Sequence, residues 1–178
     1  KCWKTFEKDA QNLSNHLVEL AKINSSSKVL DIATGIGEPA ITAAKKVGSG
    51  NGHVLATDIS LQMLSIARQR AASLGLQDVI EFKEGDAETI SLPDSAFDAV
   101  LCRWGLMFLP DLREGLSNIY SSLVHGGYLA AAVWASPDKV PFLSVSMNTV
   151  VKETGKPMPP SGTPGPFKLA DQSIITDA

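Results

Sequence analysis

Short apolar runs alternate with segments of helical periodicity along most of the chain. The runs are rich in β-branched and aromatic residues and are therefore predicted to be buried strands. They are Lys28–Ile32, Val54–Thr57, Val79–Phe82, Ala99–Cys102 and Tyr128–Trp134, and the helical segments between them are Pro39–Val47, Leu61–Leu74 and Leu112–Leu123. This alternation predicts an α/β fold, a doubly wound parallel sheet of five strands with helices on both faces.

The segments that flank this core, residues 28–135, have different patterns. Apolar residues at helical spacing in residues 1–27 predict an N-terminal helix that packs on the core or covers it as a lid. In residues 136–178, a predicted helix near Phe142–Lys152 is followed by a Pro/Gly-rich extended stretch, Gly155–Pro166, and by a helix that starts at Asp171. The last predicted strand, Tyr128–Trp134, presents an apolar sheet edge. We therefore expect the chain to be a fragment and to form a homodimer through this edge.

Composition narrows the class of protein. The 178 residues are 44% hydrophobic and 20% charged, as in an ordinary globular domain. The net charge of −3 argues against a duplex nucleic-acid partner. Polar residues interrupt every long apolar stretch, so no membrane partner is expected. Cys2 and Cys102 cannot form a disulfide framework, which favours reduced thiols and a cytoplasmic location.

Candidate chemistry concentrates where three predicted strands end. Asp31 closes the first strand, and Gly35 and Gly37 allow a tight turn that a ligand can approach closely. Asp58 closes the second strand, roughly 20 residues beyond the glycines, where a carboxylate can accept both hydroxyls of a ribose. Asp86 follows the third strand and can accept from an adenine amino group. Because parallel strands end at the same edge of a sheet, these residues predict one nucleoside site.

A dinucleotide site is the alternative, since the glycines and Ala40 also satisfy G-x-G-x-x-G/A. A pyrophosphate needs free N–H groups at the helix N-terminus. Here the turn carries Glu38, an anion, and Pro39, which has no N–H, and Asp31 adds negative charge nearby. These residues favour a nucleoside with a positively charged end. The chain also has no Tyr-x-x-x-Lys pair, which argues against an NAD(P)-dependent reductase.

The motifs, in order, resemble those of the class I SAM-dependent methyltransferases. VLDIATGIGEPA resembles the first glycine-rich motif, VLATDIS the ribose motif, EGDAE the adenine motif, FDAVLCRWGLMFLPD the fourth-strand motif and LVHGGYLAAAVW the entry to the fifth strand. The sequence is most similar to the ubiquinone and menaquinone C-methyltransferase group, and its tail, GPFKLADQS, resembles the substrate-side segment of that group. The resemblance implies a Rossmann-like core at residues 28–135 that binds S-adenosylmethionine, without a metal. The last two strands of the family are missing.

The resemblance also implies roles for residues at the first two strand ends. Asp31 would reach the ammonium of the methionine moiety, directly or through water. Ala33, Gly35 and Gly37 would line the methionine backbone, and Asp58 would hold the ribose diol.

Further roles follow for the adenine and for the acceptor. Ile59 and Met63 would lie against the adenine face, and Asp86 and Ala87 would mark its edge. Arg103 and Trp104 would border the methionine moiety and the acceptor pocket.

The methyl acceptor is expected to be a small organic molecule. Cys102-Arg103-Trp104-Gly105 stands where enzymes that methylate amides or base amines carry Asn/Asp-Pro-Pro-aromatic. Trp104 is either an aromatic wall for the substrate or a core residue, and Cys102 is expected to be an inert buried residue. His16 is the one candidate catalytic residue, although a structural role is favoured for it.

Two further questions are left open by the sequence. Trp3 and Phe6 either cap the cofactor or anchor the first helix, and residues 108–110 are expected to pack without a role in the site. A module that binds S-adenosylmethionine without turnover remains the alternative function.

Overall fold

A single parallel sheet organises the part of the chain that the structure describes. The computed structural model covers residues 2–48, 50–160 and 162–178, with side chains from Ala10 onward. Its strands are β1 (Lys28–Ile32), β2 (His53–Asp58), β3 (Ile80–Glu84), β4 (Phe97–Arg103) and β5 (Leu123–Ala132). They lie in the order β3-β2-β1-β4-β5, and every neighbouring pair is parallel. The predicted five-stranded, doubly wound sheet is therefore confirmed. Its strand order reverses between β1 and β4, where open α/β sheets bind ligands.

Six helices surround or extend from the sheet in the described ranges. They are α1 (Cys2–Leu20), α2 (Ala40–Val47), α3 (Leu61–Ser73), α4 (Leu112–Ser122), α5 (Pro141–Thr154) and α6 (Gln172–Thr176). The Ser60 hydroxyl caps α3 by accepting from the Met63 amide. Asp171 caps α6 in the same way, through the Ser173 amide.

The entry to β5 differs from the predicted strand. Leu123 already pairs with Phe97, whereas the next pair in register joins Tyr128 to Ala99, so residues 124–127 form an irregularity within the strand. Gly126 has φ +79°, a conformation that an L-residue adopts only with strain. The Gly126-Gly127 pair therefore lies inside β5, where it accommodates the extra residues, and does not precede the strand.

Each face of the sheet has its own hydrophobic core, because side chains alternate along the strands. Val29 of β1 packs with Leu17 of α1 and Ile41 of α2 on one face. Leu30 packs with Ile119 of α4 and with Leu169 of the tail on the other. The tail is thus part of the fold, and the Gly165 amide and Lys168 ammonium donate to carbonyls in residues 107–110.

The helix α5 is the exception, since none of its residues is buried. Phe142, Val145 and Val150 are all more than half exposed. Among the described residues, none of the helices combines the length and hydropathy that a membrane span requires.

Candidate functional site

The first cavity lies at the carboxyl ends of the strands and has a volume of about 490 Å³. Its wall combines the turns that follow β1, β2 and β3 with the segment after β4. The lining residues are Ile32, Ala33, Asp58, Ile59, Gly85, Asp86, Ala87, Trp104, Gly105, Phe108, Leu109 and Pro110. The structure thus brings together Ala33, Asp58, Ile59, Asp86 and Ala87, which the sequence analysis assigned to a nucleoside.

Two backbone amides orient the Asp58 carboxylate in this cavity. Its Oδ2 accepts from the Gly35 N–H at 2.8 Å, and its Oδ1 accepts from the Ser60 N–H at 2.9 Å. The side chain is half-buried and is attached to the end of β2. The two bonds fix the direction of the carboxylate and leave further lone pairs for a ligand hydroxyl.

A side chain of α4 holds the loop that follows β3. The Asp86 carboxylate accepts from the Glu88 N–H at 2.9 Å and so closes a local turn. The Asn118 amide donates to the carbonyls of Ala87 and Ile90, both at 3.0 Å. Asn118 is not predicted from the sequence, because nothing in a helical pattern shows which polar residue faces a loop about 30 residues earlier in the chain.

Two residues with left-handed backbone conformations lie at the switch point, the place between β1 and β4 where the strand order reverses. Ala33 has φ +55° and Trp104 has φ +62°, both uncommon for residues with a side chain. At Gly105, an added Cβ would come within 2.6 Å of the Ala33 Cβ and 2.7 Å of the Cys102 Sγ. Such local strain is retained only where the surrounding structure enforces it. The turns after β1 and β4 pack closely against each other here and form part of the wall of the first cavity.

A second cavity, of about 420 Å³, adjoins the first. It is lined by Thr34, Gly35, Ile36, Met63, Ile66, Arg103 and Trp104. Trp104 belongs to both cavities; its indole stacks on Trp134, with ring centroids 4.5 Å apart. The Arg103 guanidinium carbon lies 4.9 Å from the centre of the Trp104 ring.

Met63 and Gly37 are placed differently from the sequence assignment. Met63 lines the second cavity, whereas Ile59 lines the first. Gly37 lines neither; a Cβ there would meet Ile41 Cδ1 at 3.0 Å and Ala67 Cβ at 3.3 Å. Gly37 therefore serves the close packing of the turn on α2 and α3. At Gly35, by contrast, a Cβ would point into open space, and this glycine faces the second cavity.

Asp31 lies beneath the turn and is fully buried, lining neither cavity. Its Oδ2 accepts from the Ala40 N–H at 2.9 Å, whereas its Oδ1 has no partner among the described residues. Burial raises the pKa of the Asp31 carboxyl to about 7.

The negative charge predicted for this turn is largely balanced. Glu38 is buried beside the Arg70 guanidinium, with 3.8 Å between Oε1 and Nη2, and it also accepts from the Thr42 hydroxyl at 2.7 Å. Arg70 in turn donates to the Ile36 carbonyl, which joins α3 to the turn. The expectation of a strongly negative turn is therefore corrected, because the Arg70 guanidinium balances the charge of Glu38.

The N-terminus of α2 is the feature that disfavours a diphosphate. Pro39 has no N–H, the Ala40 N–H is used by Asp31, and the Ile41 N–H donates to the Gly37 carbonyl at 2.8 Å. A phosphate at a helix N-terminus needs such donors free. This helix start therefore does not suit a dinucleotide.

Several other sequence candidates lie outside the cavities. His16 is exposed on α1 and lines neither cavity. The side chains of Trp3 and Phe6 lie outside the described residues. Cys102 is buried, as predicted, and burial together with the nearby Asp31 raises the pKa of its thiol to about 12.

The segment after β4 contributes more than the expected packing. A turn of 3-10 helix at Leu106–Phe108 folds the chain back over the strand ends, so Phe108, Leu109 and Pro110 line the first cavity. Their position directly after β4 is the signal that could have found them. Among the described residues, no group of three or more His, Cys, Asp or Glu side chains could hold a metal ion.

Residues 29–127 match the protein family described as a methyltransferase domain, and the chain belongs to this family. One curated relative is the ubiquinone/menaquinone biosynthesis C-methyltransferase UbiE of Bradyrhizobium sp. It is 38% identical over 106 residues, which are 60% of this chain and 42% of the relative. Another is the demethylmenaquinone methyltransferase of Thermus thermophilus, 34% identical over 70% of this chain and 55% of its own.

A solved structure supports the same fold. The SAM-dependent methyltransferase of Aquifex aeolicus superposes with a TM-score of 0.62 at 21% identity and covers 80% of this chain and 78% of its own. The family match and the curated relatives place the chain among class I SAM-dependent methyltransferases of the UbiE-like group. The chain spans about half the length of the curated relatives it matches.

Replacing Asp58 by Ala is expected to weaken binding of S-adenosylhomocysteine by about 1.5–3 kcal/mol, or roughly 10- to 150-fold, the scale of hydrogen bonds to a charged group. Isothermal titration calorimetry measures the affinity. Asp78→Ala removes an exposed carboxylate that lines neither cavity and is the matched control. Unchanged affinity in Asp58→Ala would refute the ribose role.

Asp31 is expected to make stability depend on pH. Between about pH 4 and about pH 7 the folded chain keeps a proton on this carboxyl that the unfolded chain releases, so its contribution to stability falls as pH rises through that range. Asp31→Asn keeps an acceptor for the Ala40 amide but cannot ionise. Its free energy of unfolding should rise relative to wild type by up to about 1.4 kcal/mol per pH unit in that interval and level off above it.

Urea unfolding at a series of pH values tests this expectation. Asp98→Asn, at a carboxylate that accepts from the Lys28 amide at the start of β1, shows how much slope any Asp-to-Asn change produces. Parallel pH curves for wild type and Asp31→Asn would contradict the expectation.

Proposed function

We propose that the chain carries the catalytic core of a methyltransferase that transfers the methyl group of S-adenosylmethionine to a small organic acceptor. The observation that carries the proposal is the Asp58 carboxylate, held by two amides on the wall of a nucleoside-sized cavity that adjoins a second one. Family membership supports the same reading.

The residues on the walls fit the two halves of this cofactor. Asp58 would hold the ribose hydroxyls, and the Asp86–Ala87 turn, positioned by Asn118, would mark the adenine edge. Ile59, which is 69% exposed, offers an apolar surface for the adenine face. On the other side of the switch point, the open Cα of Gly35 leaves room for the methionine chain.

The cofactor supplies a methyl group on a sulfonium, which an electron-rich atom of the acceptor displaces in line while a neutral thioether leaves. The work of the protein is then positioning and exclusion of water, and effective molarities in favourable intramolecular cases reach about 10⁵–10⁸ M. Trp104, shared by the two cavities, stands where it can orient the acceptor against the cofactor. His16 has no part in this proposal because it is exposed and lines neither cavity.

A quinone-type ring in its reduced form is the acceptor we propose. The names of the curated relatives refer to ubiquinone, menaquinone and demethylmenaquinone. The acceptor would share the second cavity with the methionine chain, which lies at Gly35: Ile36, Met63 and Ile66 make the rest of that cavity largely apolar beside the aromatic Trp104. Only the hydroquinone has the electron density to form the new carbon–carbon bond, after which the ring carbon loses its proton.

Binding without turnover is the second candidate function. It is favoured by one observation: His16, the single catalytic candidate, is exposed and lines neither cavity. A cytoplasmic location and the absence of a nucleic-acid partner remain predictions from composition.

An assay with methyl-labelled S-adenosylmethionine separates these functions. We expect label to pass to demethylmenaquinol, the reduced form of the substrate in the relatives' name, and not to the oxidised quinone. Asp58→Ala should lose turnover at low cofactor concentration, and Asp78→Ala should keep it. Binding of S-adenosylhomocysteine with no product on a panel of reduced quinones, phenols and amines would favour binding without turnover.

Self-association through β5 is a further expectation. This strand is the last in the sheet order, so its outer edge is unpaired among the described residues. Ala131 is exposed on it, and Ala131→Glu adds a charge that disfavours edge-to-edge pairing. Light scattering should show a dimer or larger species for wild type and a shift toward monomer for the variant. A wild-type monomer at high concentration would contradict the expectation.

A further inference from the structure

Trp134 follows β5 and packs on the side chain that borders both cavities. Among the described residues, Trp104 alone lines the first cavity as well as the second. The two indoles are stacked, with ring centroids 4.5 Å apart and 10° between the ring planes. Trp134 itself lines neither cavity, so its influence on a bound ligand passes through Trp104.

The backbone of Trp104 is fixed, but it does not by itself fix the ring. Its φ of +62° lies in the left-handed region, which a residue with a side chain keeps only where its neighbours enforce it. Its N–H donates to the Ala132 carbonyl at 2.8 Å and extends the pairing of β4 with β5 by one residue. The direction of the indole then depends on what packs against the ring.

Two neighbours from different parts of the fold contact this ring. The Arg103 guanidinium carbon lies 4.9 Å from the ring centre, and α1 holds that guanidinium through the Ala10 carbonyl and the Ser14 hydroxyl. Trp134 contributes the stack from the end of β5. A nearly parallel stack fixes the plane of a ring, because tilting the ring loses contact across its face.

We propose that Trp134 is a positioning residue, which stacks on Trp104 and thereby fixes the one indole that faces both ligands. The inference rests on the proposed function and adds a residue to it. The same stack sets the fit of the nucleoside in the first cavity and the choice of acceptor in the second. The free energy of a stacked aromatic pair limits the effect, since it corresponds to a factor of about 2 to 13 in an equilibrium constant.

Variants of Trp134 in two backgrounds isolate this role. Trp134→Leu and Trp134→Met remove the stack and keep an apolar side chain, whereas Trp134→Phe keeps an aromatic ring. Each is also made together with Trp104→Ala, where no indole is left to position. Tyr120→Leu is the matched control, because Tyr120 is 82% exposed and lines neither cavity. Calorimetry with S-adenosylhomocysteine measures the affinity, and urea unfolding shows that each variant is folded.

Trp134→Leu and Trp134→Met are expected to weaken S-adenosylhomocysteine roughly 2- to 13-fold, and Trp134→Phe should restore most of the affinity. In the Trp104→Ala background the same changes should alter the affinity by less than about twofold, because the interaction of a pair is lost once one partner is gone. Tyr120→Leu should leave the affinity unchanged.

Acceptor preference should follow the same pattern. The ratio of kcat/KM for demethylmenaquinol to that for a monocyclic hydroquinone is expected to fall in Trp134→Leu and to recover in Trp134→Phe. A side chain that only stabilises the fold would change the urea midpoint and leave this ratio as it is.

Two results overturn the inference. Losses of affinity that are equal with and without Trp104 would show a purely structural role for Trp134. Unchanged affinity in folded Trp134→Leu and Trp134→Met would show that the stack does not position Trp104 for a ligand. Either result leaves the proposed function intact, provided that wild type binds S-adenosylhomocysteine. A wild-type chain that does not bind it would overturn the proposed function, and the inference with it.

Discussion

The hydrogen bond from the Gly35 amide to the Asp58 carboxylate joins the turns that follow β1 and β2. It makes one residue serve two purposes, since the same carboxylate fixes the glycine turn and faces the first cavity. Gly35 can make this bond because its φ of +58° costs a glycine little. Because Asp58 lines the first cavity and Gly35 the second, this bond fixes the wall between the two cavities.

Charge balance at the first turn explains why a chain with two buried carboxylates there can fold. Glu38 is neutralised by Arg70, and Asp31 can hold a proton because its pKa is raised to about 7. Arg103 adds positive charge from the other side of the switch point. Burying unpaired charge would be far more costly than this arrangement. The turn is polar but close to neutral, and it excludes phosphate through its occupied amides rather than through repulsion.

The features that could be predicted are those encoded by local patterns. Strand positions, the cap at Ser60 and the placement of Asp58 and Asp86 at strand ends all follow from periodicity and spacing. The features that could not be predicted depend on the direction in which side chains from distant segments point. Arg70 and Asn118 sit on helices whose patterns say nothing about which loop they face. Met63 lies one turn beyond Ile59, far enough around the start of α3 to line a different cavity.

Trp104 forms part of both cavity walls, whereas Ile36, Met63 and Ile66 belong to the second alone. The two cavities are therefore lined by different residues on the α3 side, whereas after β4 they share Trp104. Under the proposed function, a lineage that changed Trp104 to admit a new acceptor would disturb nucleoside recognition at the same time. Changes on the α3 side, at Met63 and Ile66, leave the first cavity intact, so under the proposed function acceptor preference is free to diverge there while the nucleoside is still bound.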